Sequence, residues 1–427
     1  MPKRPELSAD MKYRLLSRIS QEIRDTLDVD EILEHLLDVI KSVLDYDAAG
    51  VFVFNAGKVY PRHGPPESVI AGISMRGFDP HPIETDAMLM KGKGIVGHVI
   101  RTGQSVVAKD VRLDPRYIPG RERTRSEIAV PILKEGRTVG ALNLESDRLG
   151  AYDEHNLETL RFFADAAAIS ISKAMLHQQL LVKERIEEQL RIAHVAQARL
   201  LPSEPPRVPG FDVAGMCLPA FDLGGDYFDW IDLPGGALGV VVADVSGKGV
   251  SAALIMSAFR ALLRVFARDG LPLTDLMVLI NRHLRESTGA ASFVTAAYGV
   301  LDPATGSLAY VNCGHNHPIL LRADGSAEIL GGVGSLLGVF DDVSFEVRDF
   351  VLDRGDLLVL YTDGIVENEN ESGDPLGSER LVTLVREAAH LPAAEMIQGI
   401  LAGARVFCGV EQFDDDVTLV ILKRELH

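Results

Sequence analysis

The sequence predicts an α+β protein with two domains joined by a long helix. Its 427 residues are more than one ordinary hydrophobic core accommodates. The first part combines helical periodicity with the pattern of an antiparallel hairpin. The second part alternates short apolar runs with acidic and glycine-containing turns. Between them, apolar residues repeat at spacings of three and four until a run of prolines, which predicts the joining helix.

The composition is that of a soluble globular protein, with 47% hydrophobic and 24% charged residues. A net charge of -18 argues against a general nucleic-acid or membrane-surface binder. The three cysteines, Cys217, Cys313 and Cys408, are too few and too scattered for a disulfide framework or a zinc site. The first residues lack an apolar signal core, and no window reaches about 18 uninterrupted apolar residues, so we expect no membrane span. We therefore expect a cytoplasmic protein with no nucleic-acid or membrane partner.

The elements of the first domain follow in order. Residues 13–44 have helical spacing, and Asp28 or Asp30 is placed to cap a second helix there. AAGVFVFN at 48–55 predicts a strand, and residues 128–146 predict a hairpin that turns at Glu135 and Gly136. Residues 152–176 predict a closing helix. Helices that enclose an antiparallel sheet indicate a small α+β domain.

The first domain resembles a GAF domain. The resemblance rests on the two N-terminal helices, on GKGIVGHVIRTGQSVVAKDV, and on SEIAVPILKEGRTVGALNLES followed by YDEHNLETL. The resemblance implies a GAF sensor over residues 12–176 and leaves its ligand unknown. All three cysteines lie outside this range, which disfavours a cysteine-linked bilin. Asn143, Asp153 and Glu154 partly match the cyclic-nucleotide signature, but Leu144 stands where that signature has lysine, so a cyclic nucleotide is not favoured.

Residues 177–203 are predicted to be a coiled-coil linker. One seam consists of Leu157, Leu160, Ala164, Ala167, Ile171 and Ala174, and a second of Ile186, Leu190, Ala193, Gln197 and Leu200. The register changes between 178 and 182, as a stutter causes. The pattern favours a parallel homodimer, and the alternative is one long amphipathic helix lying against its own domain. Prolines in PSEPPRVPG then end the helix.

Carboxylates stand at the ends of apolar runs in the second domain. The segments are Gly-Gly-Asp226, Ala-Asp244-Val-Ser-Gly-Lys-Gly, Leu-Tyr-Thr-Asp363-Gly and Asp414-Asp415-Asp416. Each acid alone has an ordinary interpretation as a turn or loop residue. Acids gathered from distant strands would repel one another unless cations neutralised them, and Mg²⁺ and Mn²⁺ prefer such oxygen ligands. Together the segments therefore predict a metal site, provided that they meet in space.

These segments, with ARLLPSEPP, FVTAAYGVLD and VNCGHNHPILL, resemble the SpoIIE/RsbU branch of the metal-dependent (PPM) serine/threonine phosphatases. The resemblance implies an αββα sandwich over residues 204–427 that binds two Mn²⁺ or Mg²⁺ ions. It makes Asp244 the bridging ligand and adds the Val245 carbonyl. Asp363 and Asp415 complete the first metal site, and Asp226 serves the second metal site. The resemblance does not distinguish whether Asp415 or the adjacent Asp416 is the direct ligand. Asp244, Asp363 and Asp226 are the expected catalytic residues.

The same resemblance implies a GAF-regulated phosphatase acting on a phosphorylated anti-anti-sigma (STAS) protein in bacterial stress or developmental signalling. Two close divalent ions would lower the pKa of a water between them, so no covalent intermediate is needed. Lys248 stands where animal members carry histidine, and its role stays open. His315 and His317 look like zinc ligands, but we expect a structural turn. The alternatives are a pseudophosphatase or phosphoprotein-binding regulator, and a phosphatase of small phosphorylated metabolites.

Overall fold

The computed structural model describes residues 27–54, 70–78, 92–220, 223–287 and 292–426. The chain divides into two compact units, Met1–Arg185 and Ile186–His427. The helix predicted before Asp28 lies outside the described residues. The domain limits predicted at 12–176, 177–203 and 204–427 stay a prediction.

The first unit is built around one antiparallel sheet, sheet 1, with strand order β2-β1-β5-β4-β3. Its elements are α1 (Val29–Val43), β1 (Ala48–Phe54), β2 (Ile70–Arg76), α2 (Gly94–Thr102), β3 (Val106–Ala108), β4 (Ser126–Lys134), β5 (Arg137–Ser146) and α3 (Glu154–Ala198). The predicted hairpin is confirmed, and its turn residues Glu135 and Gly136 both have positive φ. Asp28 caps α1 by accepting backbone N–H groups through its side chain.

Alternating side chains place two cores on the two faces of sheet 1. Val51 and Val53 of β1 face α1 and the first half of α3, whereas Phe52 faces α2. On that second face, Ala141 of β5 packs with Ile95 of α2. The α2 face also presents the polar residues of β4 and β5 that are discussed below.

Helix α3 runs unbroken from residue 154 to residue 198, so the predicted continuation of the closing helix is confirmed. The first predicted seam is wrong as a contact between chains, because all six of its residues are buried in the core of the first unit. The apolar stripe of a helix packs against one partner surface, and here α1 and sheet 1 form that surface. Here the alternative, a helix packed on its own domain, is the observed arrangement. Beyond it, Leu181, Val182 and Ile186 remain at least half exposed.

The second unit contains two five-stranded antiparallel sheets. Sheet 2 has the order β13-β10-β9-β8-β7 and sheet 3 the order β12-β11-β14-β15-β6. The strands are β6 (Phe211–Leu218), β7 (Tyr227–Asp232), β8 (Leu238–Val245), β9 (Val294–Leu301), β10 (Ser307–Cys313), β11 (Ile319–Leu321), β12 (Ala327–Ile329), β13 (Val347–Val351), β14 (Leu357–Tyr361) and β15 (Val417–Arg424). The helices are α4 (Val250–Phe266), α5 (Leu273–Ser287), α6 (Asp363–Val366), α7 (Gly377–Ala388) and α8 (Ala393–Cys408).

Three apolar layers show that the second unit is the predicted αββα sandwich. Helices α4 and α5 pack on sheet 2, the two sheets pack on each other, and sheet 3 packs on α7 and α8. Strand β14 shows the alternation that this requires. Val359 and Tyr361 point to the helices, and Leu358 and Leu360 point to the opposite sheet.

In the part of the chain that the structure describes, one helical segment, Val250–Asp269, is long and apolar enough to cross a membrane by length and composition. Its residues Met256, Phe259 and Leu263 are fully buried in the core beneath sheet 2. One side of the helix thus packs on sheet 2, whereas Leu254 and Val265 are exposed.

Candidate metal centre

The acidic residues singled out in the sequence lie at one end of both sheets. Asp226 immediately precedes β7, and Asp244 is the penultimate residue of β8, so both lie at one end of sheet 2. Asp363 begins α6 and is separated from β14 by Thr362, and Asp415 and Asp416 directly precede β15, so these three lie at the end of sheet 3. Packing the two sheets face to face therefore brings together acids that are up to 190 residues apart, as between Asp226 and Asp416.

Asp244 has the most perturbed environment among the partly accessible acids of this group. Burial raises its pKa to about 7, and the negative charges of Asp363, Asp415 and Asp416 act in the same direction. Burial and Asp415 likewise raise the pKa of Asp363. The carboxylates are close enough to repel one another, and a positive charge placed among them would relieve that repulsion.

Asp226 is buried and held by two threonine hydroxyls. Its Oδ2 accepts hydrogen bonds from Thr362 Oγ1 at 2.8 Å and from Thr418 Oγ1 at 2.6 Å. Burial raises the pKa of Asp226 well above its usual range, and the charge of Asp244 adds to this effect. Sequence reasoning missed both threonines, although one directly precedes Asp363 and the other follows Asp416 by two residues.

Asp415 and Asp416 have different surroundings. Asp416 is buried, and its two carboxylate oxygens accept the backbone N–H groups of Ala220 and Gly225, both at 2.8 Å. The Asp415 side chain is 51% exposed, and its Oδ2 lies 3.0 Å from Lys248 Nζ. Asp416 thus fastens the loop before Asp226 to the loop before β15, whereas Asp415 is accessible from solvent.

The backbone approaches closely around these acids. A Cβ atom on Gly364 would lie 2.0 Å from the Asp416 carbonyl oxygen, so only glycine fits after Asp363. Val245 ends β8 directly after Asp244, and its carbonyl oxygen lies beside the Gly225 backbone. The structure thus places the Val245 carbonyl in the same region as the acids.

The donor set suits Mg²⁺ or Mn²⁺, because it consists of hard carboxylate and carbonyl oxygens. The Lys248 ammonium places one positive charge beside Asp415 at the exposed edge of this acidic group. Among the described residues, no three acidic, histidine or cysteine side chains already form a closed group around one point. A metal site built from these acids would therefore also use backbone carbonyl oxygens, such as that of Val245, or water.

The two histidines that resemble zinc ligands make protein contacts. His315 is buried, its Nδ1 lies 2.7 Å from Thr295 Oγ1, and burial lowers its pKa to about 4. His317 Nδ1 lies 3.3 Å from Asn312 Nδ2. Asn312 also donates to the His315 carbonyl, which ties the turn together.

Gln197 connects the end of α3 with the loop before Asp226. Its Nε2 donates to the Gly224 carbonyl at 2.7 Å, and its Oε1 accepts the Gly224 N–H at 3.2 Å. The prediction that placed Gln197 and Leu200 on an intermolecular seam is therefore corrected for these residues. Leu200 packs beside the core of α4 and α5. An amide side chain matches a peptide group in both donor and acceptor, which explains why glutamine stands there.

The second unit has two sheets packed between helix pairs. Its acids gather at one end of both sheets, near the ends of β8 and β14. This fold and this site define the class of metal-dependent (PP2C-type) protein phosphatases. Residues 234–425 match the family model of Stage II sporulation protein E (SpoIIE), and residues 26–172 match that of the GAF domain. The chain thus carries a GAF domain followed by a phosphatase domain of the SpoIIE/RsbU-like PP2C type.

Individual relatives agree with this assignment. The chain is 27% identical over 252 residues to phosphoserine phosphatase RsbU of Bacillus subtilis, which covers 58% of this chain and 74% of RsbU. It is 26% identical to phosphoserine phosphatase RsbP of the same organism over 47% of this chain and 49% of RsbP. The PP2C domain of SiaA from Pseudomonas aeruginosa superposes with a TM-score of 0.51 at 20% identity, covering 57% of this chain and 98% of that domain, and shows the shared fold.

Proposed function

We propose that this chain dephosphorylates phosphoserine or phosphothreonine on a STAS-type anti-anti-sigma protein, using two Mn²⁺ or Mg²⁺ ions under the control of its GAF domain. The domains are a sensor over 12–176, a linker over 177–203 and a phosphatase domain over 204–427, acting in the cytoplasm. The observation that carries the proposal is the convergence of Asp226, Asp244, Asp363 and Asp415 from both sheets. The similarity to RsbU and RsbP, which are phosphoserine phosphatases, supports a phosphoserine substrate.

Each acid has a distinct role in this proposal. Asp244, with the Val245 carbonyl, would hold both ions, Asp363 and Asp415 would complete one site, and Asp226 would serve the other. When bound, the ions supply an activated water and positive charge opposite the phosphoryl oxygens. Thr362 and Thr418 keep the Asp226 carboxylate oriented by donating to its Oδ2.

Two further residues support the acids in the same proposal. Both carboxylate oxygens of Asp416 accept backbone N–H groups, so we propose that Asp416 positions the loop before Asp226. Asp415 is then the residue that binds the metal ion. Lys248 lies at the accessible edge, where it is able to contact a phosphoprotein.

The direct test is the release of phosphate from a phosphorylated STAS protein by the full chain, with and without Mn²⁺. Metal-dependent turnover of that protein, far above turnover of free phosphoserine, is expected. Preferential turnover of free phosphoserine or another small phosphorylated compound would favour the metabolite phosphatase. Absence of turnover with both the STAS protein and p-nitrophenyl phosphate at saturating Mn²⁺ would favour the pseudophosphatase.

We also propose that the chain forms a homodimer through the exposed part of α3. Val182 and Ile186 lie four residues apart on one face of the helix and are 59% and 52% exposed in the single chain, and a second copy would bury them. Ile171 is unsuitable for a test because it is buried within the first unit.

Ile186→Glu is therefore expected to shift the protein from dimer to monomer at micromolar concentration, because a charge on the contact face must be desolvated. Light scattering measures the change in mass. Leu181→Glu makes the same kind of change at an exposed position on the opposite face of the helix and should leave the mass unchanged. A wild-type protein that is already monomeric at this concentration would contradict the dimer.

Gln197→Leu is expected to raise the Mn²⁺ concentration for half-maximal activity by about tenfold. It removes two hydrogen bonds to Gly224, each contributing about 0.5–1.5 kcal/mol to the order of the loop before Asp226. Activity titrations with Mn²⁺ measure this shift, and Gln189→Leu serves as the matched change on the same helix. An unchanged Mn²⁺ requirement would show that the contact only ends the helix.

A further inference from the structure

A cavity in the first unit lies between sheet 1 and the start of α2. Its apolar walls include Phe52, Phe78, Ile95 and Ile118. Its polar lining consists of Glu127 on β4 with Asn143 and Glu145 on β5, and Lys93 is an exposed residue at its rim. The described residues line an open cavity of about 110 Å³, smaller than the about 300–1,000 Å³ typical of drug-sized ligands. The space suits a small ligand.

Two carboxylates face each other in this cavity. Glu127 and Glu145 are direct cross-strand partners, and both are buried, with 3% and 4% of their surface exposed. Like charges directly opposite each other destabilise a sheet, and burial adds a desolvation cost. Burial raises the pKa of both groups, and the charge of Glu145 raises that of Glu127 further.

Two arginines whose charges act on the pair are ion-paired with other acids, and Lys93 lines the cavity from an exposed position. Arg116 is paired with Asp114 at 2.7 Å, and Arg121 is paired with Asp147 at 3.1 Å. Glu127 accepts a hydrogen bond from Asn143 Nδ2 at 3.1 Å, and Glu145 accepts one from Thr124 Oγ1 at 2.5 Å. Both of these partners are neutral donors, so they do not supply the positive charge that would favour the ionised forms of the two acids.

Asn143 provides the independent observation. Its side chain is 2% exposed, and its Oδ1 has no hydrogen-bond partner. A Cβ atom on residue 50 of the neighbouring strand would lie 2.7 Å from Asn143 Oδ1. Glycine at this position therefore leaves room for the amide oxygen. A buried acceptor without a donor costs about 1–3 kcal/mol, and a ligand with an N–H group in the cavity would remove that cost.

We infer that this cavity binds a small organic cation with several N–H donors, an alkylammonium or alkylguanidinium compound. Its N–H groups would meet three acceptors, the carboxylates of Glu127 and Glu145 and the amide oxygen of Asn143. Its alkyl part would lie against Phe52 and Ile95. The two acids oppose anionic ligands, so a cyclic nucleotide phosphate does not suit this lining.

The test uses the full chain and three probes of matched size: n-butylammonium, n-butanol and n-butyrate, with n-butylguanidinium as a second cation. We expect either or both cations to raise the thermal unfolding midpoint of the first unit and to give saturable heats in calorimetry, unlike the alcohol and the anion. Binding by neither cation, or equal binding of n-butyrate, would overturn the inference.

Glu127→Gln keeps the shape and removes one charge. It should raise the unfolding midpoint without ligand, because the repulsion with Glu145 is lost, and weaken cation binding by at least about tenfold, which is about 1.4 kcal/mol. Glu158→Gln, an equal charge change at an exposed position of α3, should bind like the wild type. If Glu127→Gln binds the cation as tightly as the wild type, the acids do not form the site. Because these readouts are binding and unfolding, they are independent of the proposed phosphatase activity.

Discussion

Asp244→Asn is expected to lower kcat/KM for the phosphorylated STAS protein by about 10³-fold, which is about 4 kcal/mol of transition-state stabilisation. Asp244 lies among Asp363, Asp415 and Asp416, and its carboxylate is the group that we propose to hold both ions. An amide keeps one oxygen but carries no charge, so affinity for a divalent cation falls sharply. Phosphate release at saturating Mn²⁺ measures the loss.

The fold should survive this change. The raised pKa of Asp244 means that its ionised form is less favourable in the folded protein than in the unfolded chain. Removing that charge near neutral pH should therefore leave the metal-free unfolding midpoint unchanged or higher. The rise in unfolding midpoint that Mn²⁺ gives the wild type should disappear in the variant.

Asp414→Asn is the matched control, because Asp414 is exposed and lies in the loop that also contains Asp415 and Asp416. It removes the same formal charge and should retain most of the activity. If Asp244→Asn retained activity close to that of the wild type at saturating Mn²⁺, the bridging role would belong to another group. If both variants lost activity equally, net negative charge rather than ligation would explain the effect.

The sequence predicts the fold of each domain well because local patterns determine it. The hairpin at 128–146 has alternating apolar residues around a turn, and the segment from Val240 to Leu254 has an apolar strand, a glycine-rich turn and a helix. Both patterns are complete within about 20 residues, so no tertiary information is needed.

The sequence predicts less where one pattern has two possible partners. The stripe from Leu157 to Ala174 has the same spacing whether it packs on its own domain or on a second chain, and only the fold shows that α1 and sheet 1 cover it. The hydroxyl of Thr362 reaches Asp226 across 136 positions, and that of Thr418 across 192. No local pattern predicts such contacts, and the same is true of Gln197 and Gly224.

The neighbouring acids Asp415 and Asp416 are where the structure adds most to the sequence, and their variants should fail in different ways. Asp415→Asn is expected to lower activity by about 100-fold, because the proposed ion site loses a charged ligand. Its stability should hardly change, since the ion pair with Lys248 joins two half-exposed side chains and such pairs contribute about 0–1 kcal/mol.

Asp416→Asn is expected to destabilise the second unit by about 1–3 kcal/mol, because the new amide N–H₂ must face Ala220 N–H or Gly225 N–H in place of an oxygen. One buried donor then loses its acceptor, and the loop before Asp226 loosens. The protein that remains folded should regain much of its activity when Mn²⁺ is raised. Thermal unfolding and Mn²⁺ titration of both variants separate the two roles. The reverse pattern, a stable but inactive Asp416→Asn beside an active Asp415→Asn, would make Asp416 the direct ligand and leave Asp415 as the partner of Lys248.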